Sequence, residues 1–263
     1  MYAFNYQKVK TVADAAKVLA KDGDAKLLAG GQSLIAAMKL RLAHPSEVVD
    51  LGTIKELSGI KADGKAVVIG AMTRHAEVAA SAAVKKAIPA LASLAAGIGD
   101  RMVRNMGTIG GSLANNDPAA DYPAGVLALG ATVVTNKRKI AADEFFKGMY
   151  ETALGKGEII TSVSFPVPKR AAYMKFRNPA SRYAIVGVFV ADFGSGVRVA
   201  VTGAARAYSA WPRWRKRSRR NSPPSRWRTS RYRRKASTRI CTQRPTTGRT
   251  SSRSWRSARS KPR

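Results

Sequence analysis

The chain has 263 residues, 45% of them hydrophobic, and a net charge of +31, enough length for two domains and a sizeable core. No apolar run approaches the roughly 18 residues of a membrane span, and the opening MYAFNYQKVK has no apolar stretch of a secretory signal. Its one cysteine, Cys241, excludes an internal disulfide and cannot by itself ligate an iron–sulfur cluster, which fits a cytosolic setting.

In chain order, Thr11 opens a helix through a Thr-x-x-Asp cap with Asp14; Val12, Ala16 and Leu19 form its apolar face, and Gly23 ends it. Residues 26–29 read as a short strand, 33–43 as a helix and 48–51 as a second strand. Residues 66–69 are a further strand, and Thr73 is placed to cap a helix towards Ala80. An alanine-rich helical stretch over 82–96 is interrupted at Pro89. A long polar loop then covers 97–121. Residues 122–129 read as helix and 131–135 as strand. Strands follow at 159–165, 173–176, 185–192 and 197–201, with Gly194 and Gly196 turning an antiparallel hairpin. The pattern is α+β, without an internal repeat.

Two glycine pairs carry the chemistry. Ala29-Gly30-Gly31-Gln32-Ser33 lies between a strand and a helix, where glycine permits positive φ and lets backbone amides close on an anion. Taken alone it could equally be a plain strand-to-helix turn. Gly107-Thr108-Ile109-Gly110-Gly111-Ser112 lies in the long loop, among Arg101, Arg104, Asn105, Asn115, Asn116, Asp117 and Asp121. Long polar loops inside compact domains usually have a function. Two such loops suit the two phosphates of a dinucleotide. Neither has the spacing of a Rossmann fingerprint or a P-loop. His44 and His75, the only histidines, are far apart and lack metal-ligand partners; no catalytic triad stands out.

The charge has a separate origin. Residues 206–263 hold 21 basic and no acidic side chains, all four Trp, and Ile240 as their one aliphatic residue of the Ile, Leu, Val and Met set. Such a segment cannot bury enough apolar surface to offset chain entropy. It fits a nucleic-acid arm, a cloning scar, or a GC-rich gene read one nucleotide out of frame. The third reading has support: entered at the third base of each codon, one permitted text from Arg206 is GVQRVAQVEEALAA, and from Arg234 EGLNADLHAAADYRAHLVQVMAQ. Both are amphipathic at helical spacing.

LLAGGQSLIAAMKLRLAHPSEVVDL (27–51) together with RNMGTIGGSLANNDPAADYPA (104–124) resembles the FAD-binding medium subunit of the xanthine dehydrogenase and carbon monoxide dehydrogenase family of molybdenum hydroxylases. The likeness runs to about residue 205, and the reframed GLNADLHAAADYRAHL resembles the family's C-terminal domain. It implies a two-subdomain FAD-binding fold of the vanillyl-alcohol oxidase type, with 1–57 and 58–170 as subdomains. The start of an antiparallel-sheet C-terminal domain follows over 171–205, truncated or frameshifted beyond.

It also implies site roles. Leu28, Ala29, Gly30, Gly31, Gln32 and Ser33 would bind the FAD pyrophosphate from one side, and Thr108, Ile109, Gly110, Gly111 and Ser112 from the other. Asp121 would meet the ribose or ribityl hydroxyls, Ile98 and Ile160 the flavin region, and Lys175 the flavin itself; Tyr183 would cover the ring and Lys26 would lie near the adenine. No residue of this chain is catalytic on substrate and none binds a metal. The implied activity is electron transfer from two [2Fe–2S] clusters of a small partner subunit to an outside acceptor. A large molybdenum-cofactor subunit would complete a dimer of heterotrimers in the cytoplasm or at its membrane face, without nucleic acid. The alternatives are a nucleic-acid binder acting through the basic tail and a stand-alone flavin reductase of the same fold.

Overall fold

The computed structural model describes residues 1–204 and the backbone of Ser209–Ala210; the out-of-frame expectation for 206–263 otherwise lies outside the described residues. The chain begins with β1 (Asn5–Lys8), α1 (Val12–Lys21), β2 (Lys26–Leu28), α2 (Leu34–Lys39) and β3 (Glu47–Asp50). The strands form a parallel sheet in the order β1-β3-β2. The Thr11 hydroxyl accepts from the Asp14 amide at 3.1 Å, as the capping pattern predicts. The apolar stripe of α1 packs on Val9, Val49, Leu51, Ile54 and Leu57, a small core of its own.

Two expectations change here. All four residues of β1 are exposed, so no apolar alternation announces the strand. Helix α2 stops at Lys39 rather than running to Ala43. Arg41 adopts φ 60°, and the amides of Leu42 and Ala43 fold back onto the Ala37 carbonyl, which closes the helix as a left-handed cap does.

After a 3-10 turn over Lys55–Leu57 come β4 (Ile60–Ala62), β5 (Ala66–Gly70), α3 (His75–Ala80), α4 (Ala82–Ala87), α5 (Pro89–Ala96), α6 (Arg101–Met106), α7 (Ile109–Asn115) and α8 (Tyr122–Leu129). Then follow β6 (Thr132–Thr135), β7 (Lys139–Ala141), α9 (Ala142–Phe145), β8 (Phe146–Gly148), β9 (Glu151–Thr152) and β10 (Ile160–Pro166). Strands β8 and β9 pair as a hairpin, and an antiparallel sheet runs β4-β5-β10-β6-β7. Pro89 begins α5, where its missing N–H is harmless.

Thr73 does not cap α3. Its hydroxyl is engaged with Gly59 N and O at 3.0 and 3.1 Å, and Arg74 takes the cap position, its amide donating to Glu77. The loop expected over 97–121 holds two helices. Asp100 caps α6 through Val103 N at 2.9 Å and Thr108 caps α7 through Gly111 N at 3.2 Å. Helix α6 buries none of its residues and α7 has two glycines in its first turn, so neither periodicity nor propensity marks them.

The third layer is β11 (Arg170–Arg177), β12 (Ala184–Asp192), β13 (Val197–Thr202) and β14 (Ser209–Ala210), an antiparallel sheet in that order. The expected hairpin closes with Asp192 opposite Val197 and Phe193 N donating to Gly196 O. Helix α8 is buried along its whole length, against β12 and β13 on one side. Phe189, Ala191 and Ala200 of this sheet share one core with Val67, Ile69, Leu94, Val133 and Phe165.

Candidate flavin site

At the end of β2 the chain turns through residues 29–33, with Gly31 at φ 71°, a conformation that favours glycine. The amides of Gly30, Gly31, Gln32 and Ser33 donate to no group among the described residues, while the carbonyls of Gly31 and Ser33 accept from Ile35 and Ala37 at 3.2 and 3.0 Å. Successive unpaired amides in a tight turn are a donor set for an anion.

The second loop lies directly against the first. A Cβ on Gly30 would stand 2.1 Å from Met106 O and 2.7 Å from Gly107 Cα, so the two main chains touch and only glycine fits. A Cβ on Gly111 would stand 3.7 Å from the Ala29 side chain. Two segments nearly eighty residues apart thus make one wall. Most amides of the second loop, however, are occupied. Ile109 N bonds Thr73 O (3.2 Å), Gly110 N bonds Ala71 O (2.8 Å) and Ser112 N bonds Thr108 O (3.0 Å); Gly111 N bonds the Thr108 hydroxyl. The glycines here serve close packing: a Cβ on Gly110 would lie 2.6 Å from Ala71 Cβ.

His75, to which the sequence assigned no role, supports this loop. Its amide donates to Gly107 O at 2.9 Å, and a Cβ on Gly107 would reach 2.7 Å from its Nε2. The ring is buried 5.3 Å from that of Tyr122, and burial, followed by the Arg104 charge, pushes its pKa down to about 4. His75 Nδ1 and the Tyr122 hydroxyl have no hydrogen-bond partner among the described residues. Burial was the missing signal, and a lone His before an alanine-rich helix does not show it.

A second cluster joins residues that the sequence singled out separately. Lys175 Nζ donates to Asp121 Oδ2 at 2.9 Å and to Gly97 O at 3.1 Å, and the Tyr173 hydroxyl donates to Asp121 Oδ1. Burial raises the Asp121 pKa, against the opposing pull of Lys175 and Tyr173. The same burial, with the Asp121 charge, pushes the Tyr173 phenol up. Tyr173 was legible in principle, two residues from Lys175 and so on the same strand face. Ile98 follows Gly97 and is half-buried against the large core; Ile160 lies inside that core. Lys26 is exposed on the edge strand β2, and Tyr183 is exposed just before β12. Among the described residues, no hydrogen bond links either to the glycine wall.

A glycine turn with unpaired amides packs against a second glycine segment on small α/β layers, without a Rossmann fingerprint. A family profile described as "FAD binding domain in molybdopterin dehydrogenase" matches residues 2–168, and the chain belongs to this family. It is 39% identical over 215 residues to the carbon monoxide dehydrogenase medium chain of Hydrogenophaga pseudoflava, covering 77% of this chain and 75% of that one. To the nicotine 6-hydroxylase medium subunit of Paenarthrobacter nicotinovorans it is 40% identical over 212 residues, with coverage of 77% and 75%. The solved carbon monoxide dehydrogenase of Oligotropha carboxidovorans superposes with TM-score 0.77 at 36% identity, over 82% of this chain and 80% of that chain. The protein is thus an FAD-binding subunit of the molybdenum hydroxylase family, and its activity class is oxidoreductase. Among the described residues no helix is long and apolar enough to cross a membrane, and no cluster of His, Cys, Asp or Glu could hold a metal.

Proposed function

We propose that this chain carries FAD as the electron-transfer component of a molybdenum hydroxylase, accepting electrons from [2Fe–2S] clusters of a small partner subunit and delivering them to an external acceptor. A large partner subunit with the molybdenum cofactor oxidises the substrate, and the assembly is a dimer of heterotrimers in the cytoplasm or at the inner membrane face. The observation that carries the reading is the row of free amides at Gly30, Gly31, Gln32 and Ser33 against the second loop. Bound flavin supplies reversible uptake of electrons; the protein supplies binding and electrostatics.

In this reading Leu28, Ala29 and the four free amides hold the pyrophosphate. Thr108, Ile109, Gly110, Gly111 and Ser112 form the wall behind it. Asp121 faces the sugar hydroxyls, Ile98 and Ile160 border the ring, Lys175 lends positive charge nearby, Tyr183 covers the ring, and Lys26 lies at the adenine end. Residues 1–57 and 58–170 are the two FAD subdomains, and 171–205 opens the C-terminal domain.

The test is anaerobic mixing of the FAD-loaded chain with a chemically reduced [2Fe–2S] partner. Bleaching of the flavin band at a rate that rises with partner concentration supports the reading. A flavin band that stays unchanged while the clusters remain reduced removes the electron-transfer role.

A further inference from the structure

Among the described residues, four non-glycine positions have left-handed backbones: Arg41, Asn116, Tyr150 and Arg182. Arg41 closes α2. The other three meet at one corner of the molecule. Side chains disfavour this conformation, so it persists where the surroundings hold it, and such residues gather at working sites.

Asn116 does the holding at Tyr150. It ends α7, the helix of the second glycine loop, and is fully buried. Its Nδ2 donates to Gly148 O and to Glu151 O, both at 2.7 Å, and its carbonyl accepts from Tyr150 N at 3.1 Å. Three bonds from one residue thus fix the turn of the β8-β9 hairpin, with Tyr150 at φ 59°. Glycine would take this backbone without strain. A large side chain stands there instead, 59% exposed, so burial in a core does not account for it.

What the ring meets is the segment after α7. The Tyr150 phenol donates a hydrogen bond to the Asp117 carboxylate, and its pKa is raised by burial and then by that charge and bond. Tyr183 reaches the same place from β12. Its loop closes on itself, Asn178 N donating to Tyr183 O at 2.8 Å and Arg182 N to Asn178 O at 2.9 Å, with Arg182 at φ 60°. Burial raises the Tyr183 phenol, followed by the charges of Asp117, Tyr150 and Asp121. Two phenols therefore share the surroundings of Asp117, and Asp121 with its Lys175 partner lies within electrostatic reach of Tyr183.

We propose that Tyr150 is a positioning residue for Tyr183: braced by Asn116 and bonded to Asp117, it bounds the space in which the Tyr183 ring can swing and holds that ring over the flavin. The inference rests on the reading of Tyr183 as the cover of the ring. Tyr150 then sets how freely an outside electron acceptor reaches the flavin, without touching the cofactor itself.

The test uses the full chain loaded with FAD and three variants. Tyr150→Gly removes the ring and suits the left-handed backbone, so its thermal midpoint should equal or exceed the parent's. Tyr150→Phe keeps the ring and loses only the bond to Asp117. Tyr183→Ala is the reference for an uncovered flavin. An aromatic ring stacked on the flavin quenches its fluorescence, so bound-flavin fluorescence should rise several-fold in Tyr150→Gly, towards the Tyr183→Ala level, with Tyr150→Phe between. Reoxidation of the chemically reduced flavin by dioxygen should accelerate in the same order. In the flavin-free chain, nitration of Tyr183 by tetranitromethane, located by peptide mass, should be several-fold faster in Tyr150→Gly than in the parent. Parental fluorescence in Tyr150→Gly overturns the proposal, as does a parental nitration rate at Tyr183. A fluorescence rise of the same size when Tyr150→Gly is added to Tyr183→Ala overturns it too, since Tyr150 would then act without Tyr183. A chain that takes up no FAD counts against the reading of the site; the nitration rate then decides alone whether Tyr150 governs Tyr183.

Discussion

Asp121, at the start of α8, and Lys175, in the middle of β11, form an ion pair of 2.9 Å with both side chains at most 5% exposed. Fifty-four residues separate them, so the pair fixes the C-terminal sheet to the helix that follows the second glycine loop. Removing one partner of a buried pair leaves an uncompensated charge, at a cost of about 3–5 kcal/mol. Lys175→Met is expected to lose that much in urea unfolding, and Lys175→Met with Asp121→Leu to recover most of it. A double variant no more stable than the single one would mean that the pair is not coupled.

The raised Asp121 pKa has a sign. The folded state holds this proton more tightly than the unfolded chain, so the stability from this group is present below the ordinary value of 3.8 and is lost as pH rises through the folded value. Lys175→Met removes an opposing influence and should widen that window upward. Urea midpoints measured from pH 4 to 8 should fall more steeply for the variant than for the parent.

Glu158 behaves in the opposite sense. The Arg138 guanidinium at 2.9 Å holds its carboxyl down to about 2, helped by Gly155 N and the Thr135 hydroxyl. Its contribution is present above the ordinary 4.5 and disappears as pH falls towards about 2. Glu158→Gln should flatten the acid limb of the stability curve below pH 4.5 and lower stability at neutral pH. An acid limb of unchanged slope would place the acid sensitivity elsewhere.

His75 adds a second acid-side effect. Its pKa falls from 6.5 to about 4, so protons bind the unfolded chain first and stability declines as pH drops from 6.5 to about 4. The full span corresponds to roughly 3 kcal/mol at most. His75→Phe, which keeps a ring against Tyr122, should remove the slope in that interval. Thermal midpoints at pH 7, 6, 5 and 4 measure it.

The glycine wall can be tested one Cβ at a time. Gly30→Ala places a carbon 2.1 Å from a main-chain oxygen that cannot swing away, so the loops must separate and the protein is expected to purify without flavin. Gly23→Ala, with nothing within 4 Å, should keep its full complement. Flavin-to-protein absorbance ratios decide it, and equal ratios would show that the wall does not hold FAD.

What could be read in advance follows a physical rule. Elements marked by local chemistry were legible: the Thr11 cap, the break at Pro89, the hairpin at Gly194 and Gly196, and the turn at Gly30 and Gly31. Elements defined by partners were not. Strand β1 has no buried residue and forms because β3 offers it a ladder. Helix α6 exists through the Asp100 cap. Asp121 and Lys175 were each singled out, but their contact depends on a strand register that no spacing encodes. The division of labour between the loops was also hidden. Both contain glycine pairs, yet only the first keeps its amides free, because Ala71 and Thr73 sit within reach of the second.

Helix α8 has one more consequence. All eight of its residues are buried, and part of what covers them comes from β12 and β13, beyond the point at residue 168 where the family profile ends. A chain ending at residue 168 would leave Gly125 without Phe189, 3.7 Å from where its Cβ would stand, and the Leu127 carbonyl without the two Arg198 donors at 3.0 and 2.8 Å, so the interior behind the profile-matched part is completed by strands that lie outside it.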